Sequence, residues 1–181
     1  MRRRRRGIHM RLYRGKIPII AEEMTQALAT AGDIEVLPSL MAEVQLDIEA
    51  VLKEFQRIDR DTLERAKDMV AGRGLDFSHT HRIRKTLAEK TGIGFGDQAY
   101  DWIINQLIEA LLHSRNVEEV FAEDHELRRK LRDTLRKHTE VDRDLDREVR
   151  NRIRNFDEGT QNWEVEYERV MGDLRKTKKL E

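Results

Sequence analysis

The sequence has no cysteine, so no disulfide can staple the fold and no thiolate can hold a metal or act as a nucleophile. That fits a reducing compartment, and a soluble, cytoplasmic protein is expected. Proline occurs only twice and aromatic residues make up 6% of the 181 positions, which suits long solvated helices better than strands or a dense enzyme interior. Long apolar runs are missing as well. The longest apolar cluster, around Trp102 to Leu112, is interrupted by Asn105, Gln106 and Glu109, well short of the roughly 18 continuous residues of a membrane span, so no membrane partner is expected. Net charge is zero, with 35 basic residues against 35 acidic ones. The balance rests on Arg2 to Arg6. Residues 1–9 lack the apolar segment of a secretory signal and read as a basic extension ahead of a natural start at Met10. Without those five arginines the chain has 30 basic residues against 35 acidic ones, a mild acidity that speaks against a general affinity for nucleic acid.

Recognisable chemical machinery is scarce too. There is no Gly-x-Ser-x-Gly elbow, no Walker-type lysine loop and no Glu-x-x-His of a di-iron bundle. His79-Thr80-His81 offers two imidazoles, but no third histidine is close in sequence, and Arg82, Arg84 and Lys85 would repel a cation. Gly92-Ile93-Gly94-Phe95-Gly96 ahead of a helix has the glycines of a phosphate cradle. It lacks the preceding strand and the right spacing, and Asp97 puts a negative charge where the phosphate would sit. It reads as a turn. No catalytic residue, cofactor or metal site is assigned, and the reading leans away from an enzyme.

What is present is charge, 39% of all residues, interleaved with apolar positions at helical spacing. Pro18 opens a first helix that runs to Gly32; a connection over residues 33–38 leads to Ser39 as an N-cap. A long helix from Met41 to about Ala71 carries Val44, Ile48, Val51, Phe55, Ile58 and Met69. Ile83 and Leu87 mark a third helix. Asp97 caps a fourth, whose broad apolar face (Ile103, Ile104, Leu107, Ile108, Leu111) belongs at the centre of the core. A second long helix, from Asp124 to about Phe156, bears Leu127, Leu131, Leu135, His138, Leu145, Val149 and Ile153, and a last helix holds Trp163, Tyr167, Val170 and Met171.

The two halves repeat. A shift of 83 residues places Ile20 on Ile103, Ala27-Leu28 on Ala110-Leu111, Glu35 on Glu118, Leu52 on Leu135 and Asp59-Arg60-Asp61 on Asp142-Arg143-Asp144. The expected organisation is repeat 1 over 10–92, repeat 2 over 93–175 and a basic tail over 176–181. A unit of about 80 residues is near the lower limit for a core of its own, so the repeats should share one. The expected fold is all-α, with the two long helices packed antiparallel about a pseudo-twofold axis. Phe55 and His138 should then meet at that axis, and Asp59, Asp61, Asp142 and Asp144 should lie close to it.

Charge is unevenly spread. Residues 128–154 hold eleven basic and six acidic side chains, whereas 45–71 hold five and seven. Acidic stretches flank the basic helix and can neutralise it within the fold. Alternatively Arg128, Arg129, Arg132, Arg136 and Lys137 form a nucleic-acid face, which requires them to be unpaired.

The run Asn105-Gln106-Leu107-Ile108-Glu109-Ala110-Leu111-Leu112-His113-Ser114, followed by Val117-Glu118-Glu119-Val120-Phe121 and Leu127-Arg128-Arg129-Lys130, resembles the bacterial domain-of-unknown-function family numbered 507. Met10-Arg11-Leu12-Tyr13, Lys16-Ile17-Pro18, Gly159-Thr160, Trp163 and Tyr167 resemble it as well. The resemblance covers residues 10–181 and implies a bacterial cytoplasmic protein starting at Met10. It carries no activity and no functional residue. Taken together, the sequence points to a non-enzymatic helical interaction or assembly protein with a protein partner or a second copy of itself. The alternatives are nucleic-acid or polyanion binding through 128–154, and an enzyme or small-ligand binder with a site between the repeats.

Overall fold

The computed structural model describes residues 10–177, except for the side chains of residues 141 and 142. The basic extension 1–9 and the last residues of the tail, 178–181, lie outside the described residues. The chain is all-α. In order it forms α1 (Ile17–Thr30), β1 (Ile34–Glu35), α2 (Met41–Gly72), α3 (Thr80–Thr91), α4 (Asp97–His113), β2 (Glu119–Val120), α5 (Asp124–Arg152) and α6 (Gln161–Thr177). No helix among the described residues is long and apolar enough to cross a membrane.

Local chemistry sets most of these bounds. Pro18 sits in the first turn of α1, where its missing N–H costs nothing. Gly32, Gly74 and Gly92 adopt positive φ just past the ends of α1, α2 and α3, a conformation that ends helices cheaply only without a side chain. Three expected details differ. Ser39 lies inside a short 3-10 turn over Pro38–Leu40 and caps nothing. Asp97 is the first residue of α4 rather than its cap, because Gly96 takes the N-cap position. α5 stops at Arg152 rather than Phe156. Its start is held by Glu126, whose carboxylate accepts from the Glu123 N–H at 3.3 Å.

α1, α2, α4 and α5 touch in a ring: α1 packs on α2, α2 on α4, α4 on α5 and α5 on α1. This corrects the expected direct packing of the two long helices, which occupy opposite corners of the ring and share no broad contact. The reason is the width of the apolar faces. Buried Ile103, Ile104, Leu107, Ile108 and Leu111 of α4, and Ile17, Ile20, Ala21, Met24 and Leu28 of α1, span faces broad enough to cover two neighbours each. The long helices carry narrower stripes. Phe55 and His138 follow this arrangement: Phe55 is buried with its ring 6.0 Å from that of Trp102 on α4, whereas His138 Nε2 lies 2.7 Å from Glu23 Oε2 on α1.

Beyond the ring, α2 continues against α3 and α5 against α6. A separate apolar cluster of Leu145, Val149, Ile153, Tyr167, Val170, Met171 and Leu174 joins α5 to α6. At the other end β1 and β2 pair antiparallel, Ile34 with Val120 and Glu35 with Glu119.

Candidate interaction surface on the second long helix

The apolar stripe of α5 faces the core, so its basic residues divide between two flanks and an outer face. The flanks are neutralised by other elements. Arg128 donates to Asp124 Oδ2 and to Asn105 Oδ1 on α4, both at 2.5 Å. Lys130 lies 2.5 Å from Asp33 Oδ2 in the α1–β1 turn, and Arg132 pairs with Asp101 on α4. Lys137 lies 2.7 Å from Glu23 Oε1, which shares its carboxylate with His138. The hydrogen bond from Lys137, helped by that from His138, holds the Glu23 carboxyl below its ordinary pKa against the opposing effect of burial. Three of the five expected nucleic-acid residues, Arg128, Arg132 and Lys137, are thus engaged within the fold.

The outer face differs. Arg129, Arg136, Arg143 and Arg154 are exposed, and among the described residues none has a carboxylate partner; Arg136 lies over the Tyr100 ring, 5.7 Å from its centroid. Arg129, Arg136 and Arg143 are seven residues apart, two helical turns less about 20°, so they stand in a row with ~10.5 Å between neighbours. Arg147, 3.5 Å from Asp144 on the same helix, extends the row, and Arg154 follows in the turn just past the end of α5. Of these residues sequence reasoning named Arg129 and Arg136; the seven-residue spacing was the available signal for Arg143 and Arg154.

The Asp-Arg-Asp carboxylates do not gather. Asp59 accepts twice from Arg84 of α3 at 2.8 Å, Asp61 pairs with Arg57 on the surface and Asp144 pairs with Arg147. The Asp142 side chain lies outside the described residues. Among those described, no three His, Cys, Asp or Glu side chains converge as a metal would need. The glycine-rich turn borders a shallow groove of about 400 Å³ lined by Glu89, Gly94, Gln98, Asp101, Trp102 and Asn105. Its two carboxylates make it unsuited to phosphate. Gly94 is required there: with φ 70°, a Cβ would come within 2.4 Å of Gln98 Cβ.

One cluster escaped the sequence reading. The Tyr167 hydroxyl donates to Asp146 Oδ1 at 2.6 Å, and Arg150 Nε donates to Asp146 Oδ2 at 2.8 Å. The Tyr13 hydroxyl lies 3.3 Å from that of Tyr167. The Arg11 guanidinium sits 4.4 Å from the Tyr167 ring centroid, Arg175 sits 3.9 Å from that of Tyr13, and Trp163 stacks on Tyr167. Burial pushes the Tyr167 phenol far above its ordinary pKa, only partly opposed by Arg11. The cluster ties the segment before α1 to the α5–α6 pair. Tyr13 and Tyr167 are 154 residues apart in sequence, where no local pattern reports their meeting.

Among curated proteins, none matches this sequence. Residues 10–180 match the model of the family described as "Protein of unknown function (DUF507)", so the segment before α1, the four-helix ring and the α5–α6 pair all fall within the match, and the chain belongs to that family.

Proposed function

We propose that this chain is a non-enzymatic helical interaction protein made of two copies of an 83-residue unit, and that the outer face of α5 is its contact surface. The repeats are taken as 10–92 and 93–175. Element bounds support the duplication: α1 ends at Thr30 and α4 at His113, α2 begins at Met41 and α5 at Asp124, each pair 83 residues apart. So do two cross-links between the halves. Asp47 of α2 accepts from Ser114 and Asn116 at 2.5 and 3.0 Å, while Lys130 of α5 donates to Asp33. Asp47 corresponds to Lys130 under the shift, and Asp33 to Asn116. In the ribbon the Glu118 N–H donates to the Glu35 carbonyl at 2.9 Å, again between corresponding residues.

The observation that carries the functional reading is the arginine row. Its counterparts on α2 are Leu46, Lys53, Arg60 and Ala71, of which Lys53 is bound to Glu49 and Arg60 lies 3.9 Å from Asp61. The copies thus keep the scaffold and differ on the solvent face. Arginines whose basic neighbours are all ion-paired, themselves in no ion pair among the described residues at four positions, suit an external anionic partner.

A photo-crosslinking residue placed at position 136 in cells, with the same residue at position 53 as the control, tests this. Adducts at 136 exceeding those at 53 are expected. Equal or absent adducts at 136 would overturn the assignment of the surface.

A further inference from the structure

We infer that the partner of the α5 row is the phosphodiester backbone of duplex DNA, bound without base readout; the inference rests on the reading of this face as the contact surface. Two features of the row select this partner over a protein. The first is composition. The outer face presents Arg129, Asp133, Arg136, Glu140, Arg143, Asp144, Arg147 and Asn151, with Arg154 in the turn just past the helix, and no apolar or aromatic side chain. Protein interfaces concentrate their energy in buried aromatic and aliphatic anchors and deplete charge at their centre. Interfaces with nucleic acid are polar, wet and cationic. The basic residues are all arginine, whose planar fork meets two phosphate oxygens at once.

The second feature is length. α5 continues 23 residues beyond Arg129, to Arg152, roughly 35 Å of helix, close to one turn of B-DNA at about 34–36 Å. A straight helix laid along the duplex surface therefore spans successive backbone crossings. It cannot enter a groove, because Arg128, Arg132 and Lys137 on its flanks are bound to α4 and α1. Contacts are limited to phosphates, and sequence preference is absent. Asp133 and Glu140 are exposed between the arginines and repel the same phosphates, which confines attraction to the arginine positions.

The test uses the full chain in a background carrying Arg2→Gln through Arg6→Gln, so that the extension cannot supply the binding. The probe is a labelled 24-base-pair DNA duplex of arbitrary sequence, followed by fluorescence anisotropy between 50 and 200 mM KCl. With four phosphate contacts the slope of log K against log salt is about −3.6, a loss of affinity of roughly 150-fold across that range. Arg129→Gln, Arg136→Gln, Arg143→Gln and Arg154→Gln should each reduce the slope by about one, with circular dichroism and Tm confirming an intact fold. Asp133→Asn with Glu140→Gln should tighten the duplex by several-fold; a protein partner of mixed charge would instead be weakened. Absence of salt-dependent duplex binding, a slope unmoved by the four glutamines, or equal competition by poly-glutamate would each overturn the inference. If the duplex fails while the crosslinker at 136 traps a protein, the face is an interface and the DNA assignment alone is wrong.

Discussion

Replacing Asp146 by alanine should be among the most damaging single changes on the polar side of this protein. Asp146 is 7% exposed and accepts from the Tyr167 hydroxyl and from Arg150. Without it the Tyr167 O–H, on a side chain 1% exposed, is left with Tyr13 at 3.3 Å as its acceptor, a poor bond, since Arg11 can only donate to it. Leaving a buried hydroxyl nearly unsatisfied costs about 1–3 kcal/mol. Arg150 retains Glu158 at 2.5 Å and is partly solvated, so its loss is nearer ~1 kcal/mol. The sum, about 2–4 kcal/mol, lowers Tm by roughly 4–16 °C at the ~2–4 °C per kcal/mol typical of a chain this long. Thermal unfolding followed by circular dichroism at 222 nm measures it. Tyr167→Phe alone should cost about 1–2 kcal/mol, since Asp146 keeps Arg150, and in that background Asp146→Ala should cost about 1 kcal/mol less than in the wild type. A fall in Tm below 2 °C for Asp146→Ala, or an undiminished cost in the Phe background, would refute the account of this cluster.

Three further outcomes are expected. Phe55→Ala removes a buried ring from between α2 and Trp102 and should cost about 3–5 kcal/mol in denaturant unfolding; a cost below ~1 kcal/mol would mean the ring of helices is packed differently. The Glu23 and Glu49 carboxyls are held below their ordinary value near 4.5, by Lys137 with His138 and by Lys53 respectively. Their contribution is present above that value and is lost as pH falls through the depressed one, so Tm should drop below about pH 4.5, and Glu23→Gln should make the drop shallower; an unchanged acid limb counts against it. Burial raises the Tyr100 and Tyr167 phenols. In the folded protein these two should stay protonated where ordinary tyrosine ionises, with stability declining as pH rises above about 10; a smooth titration of all tyrosines at 295 nm near pH 10 without unfolding would contradict this.

How far the sequence reports this molecule depends on the range of each interaction. Gly32 announces where α1 ends, and Gly74 and Gly92 mark the ends of α2 and α3 in the same way, because the signal is local, a left-handed residue after an apolar period. The stripe from Leu127 to Ile153 announced α5 for the same reason. The order of helices around the core was not legible: periodicity says that a helix has an apolar face, not which neighbour covers it, and the breadth of the α4 face was the only hint that α4 would stand between the long helices. The two-residue strands were too short for alternation to show. Polar partners such as Lys130 with Asp33 or Tyr13 with Tyr167 are 97 and 154 residues apart, so no window contains both. Of the candidate surface, charge counting found the helix. It could not separate the flanks from the outer face, because that division depends on where Asp101, Glu23 and Asn105 lie in space.

On the duplication reading, the two cross-links also explain why the halves fold onto each other rather than onto copies of themselves. In the single chain Asp47 meets Asn116 and Lys130 meets Asp33, so each long helix finds a compatible turn in the other half. Two first halves pairing by the same geometry would set Asp47 against Asp33, two carboxylates at a site where Asp33 is only 7% exposed, and like charges so placed repel strongly. Two second halves would set Lys130 against Asn116, a neutral acceptor that forgoes the ion pair. The favourable combination is the mixed one, which is specificity obtained as much by penalising the wrong pairing as by rewarding the right one. The same divergence left α5 with basic residues beyond those its neighbours neutralise, and those form its outer row. A chain with Lys130→Asp and Asp33→Lys exchanged would keep the pair and the fold while reversing its polarity, whereas Lys130→Asp alone would bring two carboxylates together. Recovery of Tm in the double variant relative to Lys130→Asp separates pairing from mere tolerance at that position, and absence of recovery would remove the electrostatic basis for this account.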